Sequence, residues 1–336
     1  MRRIFISPDV EAIAQSYRDN LLSKHTRRDF VQPKDGLQDF EDEIREDQEN
    51  CPLWELYADY AKDMREHFDE IILLKPSEFD TWYQRHFDRL DKQLLTDKNW
   101  RRKVGDISFS DHIIKIMHYN TVRSEDMIPC IKKLGIKTCV YCNAQYTNTI
   151  EIADNGSVKG RYELDHFWAK DEYPFLCISF YNLQPSCSSC NNWKRDKEAK
   201  FNLYTDNPEE LDPFSFELTP GSIIRYMLSQ DSNVLEIILT STDADLLANH
   251  LERFHTEDLY ETFSDELEEL VWKYKSFNRA FKEQLIPRFK NLFPQHASRN
   301  EIIRFLYGFY SKPKDVHKRP LTKVKQDVAK QLNMME

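Results

Sequence analysis

Cys139-Val140-Tyr141-Cys142-Asn143 and Cys187-Ser188-Ser189-Cys190-Asn191-Asn192-Trp193-Lys194 are the two stretches that decide how this chain is built. Each carries a C-x-x-C pair, and 44 residues separate Cys142 from Cys187. The chain has seven cysteines, an odd number that no complete disulfide set can use. In a reducing compartment the C-x-x-C spacing points to metal sooner than to disulfide. Four thiolates close a tetrahedral Zn²⁺ site with no open position, which is the signature of structural zinc. The intervening loop is longer than the ~15–20 residues of an ordinary zinc ribbon. It has room for a second site while the metal ties its ends. Of the remaining cysteines, Cys177 lies in Phe175-Leu176-Cys177-Ile178 and reads as a small buried apolar residue.

Outward from this centre, the chain has the composition of a globular protein of 336 residues, 31% charged and 40% hydrophobic, enough for about two domains. Its seven glycines form neither a G-x-G-x-x-G nor a P-loop pattern. The backbone wrap that holds a pyrophosphate is therefore missing, and any nucleotide hydrolysis is expected from another chain. No apolar run approaches the ~20 residues of a membrane span. The apolar part of Met1-Arg2-Arg3-Ile4-Phe5-Ile6 is too short for a signal peptide, so the expected location is cytoplasmic. Net charge is −10, unevenly spread: residues 206–270 hold 17 acids and 2 bases, and residues 271–336 hold 15 bases and 5 acids. The basic end permits a nucleic-acid surface, and the acidic block suggests contact with a partner protein.

Hydrophobic periodicity predicts helices over about residues 1–135. Trp54, Tyr57, Ala61, Met64, Phe68 and Ile71 recur at helical spacing, and a second helix is expected from an N-cap at Ser77, burying Phe79, Trp82, Phe87, Leu90 and Leu94. Past Cys139 the pattern changes. Tyr146 to Ile152, a turn at Asp154-Asn155-Gly156, and Val158 to Leu164 read as a hairpin. An irregular aromatic stretch runs to about Pro185, and a short helix to about Ala199. Three further strands are expected at Phe214–Phe216, Ile223–Leu228 and Leu235–Leu239, then helices from Thr242. Ser298-x-x-Glu301 is a capping box opening a helix that buries Ile302, Phe305, Leu306 and Phe309. Residues 312–330 read as a solvated basic tail or helix. The expected fold is α+β: a helical domain (1–135), a zinc-bracketed module (136–205), and a strand-then-helix region with a basic tail (206–336).

Between and after the cysteine pairs lie Leu164-Asp165-His166-Phe167, Asn182-Leu183 and Cys190-Asn191-Asn192-Trp193-Lys194. In this order, with nine residues from Asn182 to Asn191, residues 138–200 resemble the HNH endonucleases. These are the ββα-metal nucleases, here of the subgroup whose motif is bracketed by two C-x-x-C knuckles. More loosely, the whole chain is similar to bacterial defence nucleases of the Septu type, which work beside a separate ATPase. The resemblance implies a metal-dependent endonuclease acting on DNA in anti-phage defence.

The chemistry fits those residue types. A phosphodiester's negative charge repels nucleophiles, a divalent cation offsets it, and a general base activates water. Histidine suits the base near neutral pH, which assigns that role to His166. Asp165 offers a hard oxygen ligand and Asn191 a neutral one, a sparse set that suits Mg²⁺. On a strand ending there, Asp165 and His166 point to opposite faces. By resemblance, Asn182 holds the loop that orients His166. Family members often carry His where Asn191 stands. Lys194 and Arg195 are candidates for phosphate contact. Two other readings remain open: an RNA-cleaving, toxin-like nuclease, or a non-catalytic zinc module that binds nucleic acid or protein.

Overall fold

The computed structural model describes residues 1–23, 30–102, 107–153, 156–195 and 197–334. Helices predominate, and among the described residues the strands form four two-stranded sheets, an α+β arrangement. β1 (Ile4–Phe5) runs parallel to β6 (Tyr204–Thr205). β2 (Thr149–Glu151) pairs antiparallel with β3 (Val158–Gly160), β4 (Glu163–His166) with β5 (Leu183–Ser186), and β7 (Ser215–Leu218) with β8 (Ile237–Thr240). None of the helices among these residues is long and apolar enough to cross a membrane.

The first third is helical, with its punctuation shifted from expectation. The Trp54–Glu66 helix stops at His67, and Phe68–Ile72 continues as a separate short helix. Ser77 is not an N-cap. It sits inside a 3₁₀ turn, Pro76–Glu78, and its hydroxyl bonds the Asp206 carboxylate instead. The Phe79–His86 helix ends before Phe87 and Leu90, which are still buried. Asp91 then caps a new helix, Lys92–Thr96. The aromatics make core: Phe87 stacks on Phe175 at 4.1 Å, and Tyr57 lies 4.8 Å from Phe109.

Two strand assignments change. The run Val158–Leu164 is not one strand. The chain bends at Arg161-Tyr162, the Tyr162 ring lying where a Cβ on Gly160 would stand, and Glu163 opens β4 in a different sheet. Its partner β5 emerges from the stretch read as irregular. In the expected hairpin turn, Asp154 and Asn155 lie outside the described residues. Gly156 has φ 65°, the left-handed conformation that glycine tolerates. Ile223–Leu228 is helical, within Pro220–Ser229. The Thr219 hydroxyl accepts from the Ser222 amide and Pro220 occupies the first turn, so a helix starts where a strand was expected.

The basic end is not a solvated tail. The Thr322–Gln331 helix buries Thr322, Lys323, Val324, Gln326, Val328 and Ala329, and packs on β7. Gln331 exchanges hydrogen bonds with the Leu218 backbone, and Asp327 accepts from the Phe216 amide at 2.9 Å. Part of the sequence's charge asymmetry cancels internally: Lys325 pairs with Glu266 at 2.6 Å, and Arg2 and Arg3 pair with Asp212 and Glu210. The capping box at Ser298 and Glu301 is present, but Phe305, expected in the core, is 50% exposed.

Candidate metal centre and adjoining polar site

The four expected cysteines come together. The sulfurs of Cys139, Cys142, Cys187 and Cys190 all lie within 4.8 Å of one another. A tetrahedron with Zn–S bonds of about 2.3 Å has S···S edges of about 3.8 Å, so the cluster is of a size to close around zinc. The surrounding backbone is arranged to favour thiolates: the Ala144 amide donates to Cys142 Sγ (3.4 Å) and the Cys190 amide to Cys187 Sγ (3.5 Å). The thiols also perturb one another. Hydrogen bonds with Cys139 push Cys142 and Cys187 down, while burial pushes Cys139 up. These four residues would hold the ion, and zinc would supply a cross-link.

That cross-link joins distant parts. Val140 donates its amide to the Pro185 carbonyl at 3.2 Å, placing the first knuckle against β5. Cys187 directly follows β5 and is the N-cap of the Ser188–Lys194 helix. The helix is shorter than expected, stopping at Lys194 rather than near Ala199, with Arg195 at φ 44°. Strand β4, strand β5 and this helix therefore follow one another around the cysteine cluster.

Each sequence-predicted residue has a definite place here. Asp165 and His166 are the last two residues of β4, both 7% exposed. His166 Nε2 donates to the Cys177 carbonyl at 2.9 Å, which leaves Nδ1 as the ring's lone-pair nitrogen. Burial lowers the His166 pKa to about 3, so the ring is neutral at pH 7. Tyr119 packs 4.9 Å from it. Asn182 is buried and staples the intervening loop: its Oδ1 accepts from the Trp168 amide (2.8 Å), and its Nδ2 donates to the Trp168 and Leu176 carbonyls. Asn191 lies on the helix, half-buried. Arg195 is exposed.

Lys194 and Asp165 are placed differently from what their types suggested. The Lys194 side chain is 3% exposed and does not face solvent. Its ammonium lies 3.1 Å from Asp165 Oδ1 and 3.0 Å from Oδ2, and donates to the His166 carbonyl at 2.6 Å. Tyr141, from inside the first knuckle, donates its hydroxyl to Asp165 Oδ2. Gln184 of β5 donates to that hydroxyl and accepts from the Leu203 amide. Burial raises the Asp165 pKa, and Lys194 opposes the rise. Asp165 is thus already engaged by a cation and a hydroxyl. A Mg²⁺ ion on Asp165 does not fit this arrangement, because the ammonium stands against both oxygens and like charges repel.

Sequence reasoning missed Tyr141, Gln184 and Asn143. Asn143 has φ 52° and is fully buried. An Asn directly after a knuckle cysteine was the available signal, since Asn adopts the left-handed conformation more readily than most residues.

No protein-family model and no solved structure matches the chain. A 62-residue stretch is 34% identical to the Septu protein PtuB of Bacillus thuringiensis, covering 18% of this chain and 21% of that protein. The chain thus spans about a fifth of the length of the curated relative it matches.

Proposed function

We propose that this chain is an endonuclease of the HNH type, hydrolysing phosphodiester bonds of DNA in a bacterial anti-phage defence system with a separate ATPase partner. The observation that carries the reading is the succession β4, β5 and the Ser188–Lys194 helix around a four-cysteine cluster, with Asp165-His166 ending the first strand and Asn191 on the helix. The partial similarity to a Septu protein supports the defence setting. The module bounds 136–205, between a helical region and a C-terminal region, belong to the same proposal.

In this reading His166 accepts a proton at Nδ1 from the attacking water. The water oxygen bonds to phosphorus, the bond to the leaving sugar oxygen breaks, and that oxygen takes a proton from solvent. A pKa near 3 in the free protein makes a weak base. An approaching phosphate favours the imidazolium and raises it, so the base strengthens when substrate is present. Asn182 holds the loop whose Cys177 carbonyl orients the ring. Zinc held by Cys139, Cys142, Cys187 and Cys190 would fix the strands and helix that carry these groups.

A second reading has a specific observation in its favour. Asp165 and His166 are both buried and hydrogen-bonded, as they would be in a non-catalytic zinc module. The test is to incubate zinc-loaded protein, alone and with the products of neighbouring genes, with DNA and with RNA. DNA cleavage lost in His166→Ala supports the nuclease. Cleavage of RNA alone changes the substrate, and no cleavage under any condition favours the binding module.

A further inference from the structure

Asp165 sits at the end of β4, below the surface, where an isolated carboxylate is expensive to hold. Its charge is answered from one direction by the Lys194 ammonium, 3.0 and 3.1 Å from its two oxygens. The lysine is held equally firmly. It reaches back from the last turn of the Ser188–Lys194 helix, and a second donor bond runs to the carbonyl of His166 at 2.6 Å. One side chain therefore grips both the carboxylate of Asp165 and the backbone of the residue that follows it. From the other side, Tyr141 bonds Asp165 Oδ2, and Gln184 bonds Tyr141 at 2.5 Å. Helix, strand and first knuckle meet at this one carboxylate.

From this geometry we infer that Lys194 is the resident cation of the site: its ammonium occupies the seat on Asp165 that a divalent ion would need. Lys194 is then a positioning residue. It fixes the end of β4, and with it the His166 ring, by bonding the His166 carbonyl and the Asp165 carboxylate together. A divalent ion reaches Asp165 only if Lys194 leaves. The inference rests on the proposed nuclease reading for its bearing on catalysis, but the cation seat itself is tested by binding.

The probe is Mn²⁺, followed by electron paramagnetic resonance and by metal-dependent melting of the zinc-loaded full chain. In the wild type, Asp165→Asn should leave Mn²⁺ affinity unchanged within about two-fold, because Asp165 is not a ligand. Lys194→Met should create a site. Mn²⁺ should bind at least ten-fold more tightly than to wild type and raise the melting temperature, and a second substitution, Asp165→Asn, should abolish both effects. Zinc content shows that each variant retains its knuckles. If Lys194→Met does not fold, Lys194→Gln takes its place with the same expected gain and loss. Stoichiometric Mn²⁺ binding by the wild type that Asp165→Asn removes would overturn the inference, as would a folded Lys194→Met protein that gains no site. A wild type that cuts DNA without binding Mn²⁺ through Asp165 keeps the nuclease reading. A wild type that cuts nothing, with the binding results as expected, loses that reading and keeps the cation seat.

Discussion

Asn143 and Lys323, 180 residues apart, are joined by a 2.9 Å hydrogen bond from the Lys323 amide to the Asn143 side-chain oxygen. The same Asn143 donates through Nδ2 to Thr138 Oγ1 and the Val316 carbonyl, and its own carbonyl accepts from the Leu321 amide at 2.7 Å. The first cysteine knuckle is therefore locked to the basic C-terminal segment by one buried amide.

Asn143→Ala should lower stability by about 2–4 kcal/mol, since it removes buried hydrogen bonds and replaces an Asn, which tolerates a left-handed φ, by a residue that tolerates it less well. Asn143→Gly should recover the backbone part only. Urea unfolding of zinc-loaded protein measures both, and an Asn143→Ala protein as stable as wild type would disprove the lock.

Elemental measurement should find about one zinc per chain, because four thiolates close one tetrahedral site. Cys187→Ser should lose the metal and unfold the β4–β5–helix unit, since metal binding here is part of the folding free energy. Zinc-free protein with an unchanged melt would count against this.

His166→Ala should reduce cleavage by ~10²-fold or more in a protein that still folds and retains its zinc. Wild-type cutting by a folded, zinc-loaded variant would end the assignment of His166 as base.

Burial sets an acid limit on the fold. It lowers the pKa of His166 and His250 to about 3 and of His317 to about 4, below the ordinary value of 6.5. As pH falls through 6.5 the unfolded chain takes up protons that the folded chain refuses. Stability is thus fully present above about pH 6.5 and declines toward pH 4, by ~1.4 kcal/mol per pH unit for each histidine. His250 lies among Phe214, Phe254 and Phe201, so His250→Leu should make the decline shallower by about one histidine's share. Denaturant unfolding at pH 7.5 and 5.5 compares the two slopes; equal slopes would remove His250 from the account.

Much of the site was legible because its residue types have few alternative uses. Two C-x-x-C pairs imply a metal wherever they meet, and the cluster forms as expected. Asp165 and His166 end strand β4, which opens at Glu163 and so overlaps the expected Val158–Leu164 strand only at its end. Strand β5 was not legible. Leu183-Gln184-Pro185-Ser186 is buried throughout and shows no alternation, and its strand character comes from pairing with β4. Ile223–Leu228 misled for a related reason: exposed Ile224 and Leu228 mimic strand composition, while the Thr219 cap and Pro220 decide for helix.

The order of chemistry-bearing residues, the cysteine spacing and the charge blocks follow from the chain alone, because each is a property of neighbours in sequence. What Lys194 does with its charge does not. A lysine after a knuckle faces solvent or phosphate by default. Here it turns inward because β4 leaves the Asp165 carboxylate buried within 3.1 Å of it, and a buried charge is far less costly paired than alone. The basic tail likewise looks soluble residue by residue, yet Leu321, Val324 and Val328 face the core and Asn143 waits for the Lys323 amide. Burial and long-range pairing set those outcomes, and both exist only once the chain has closed on itself.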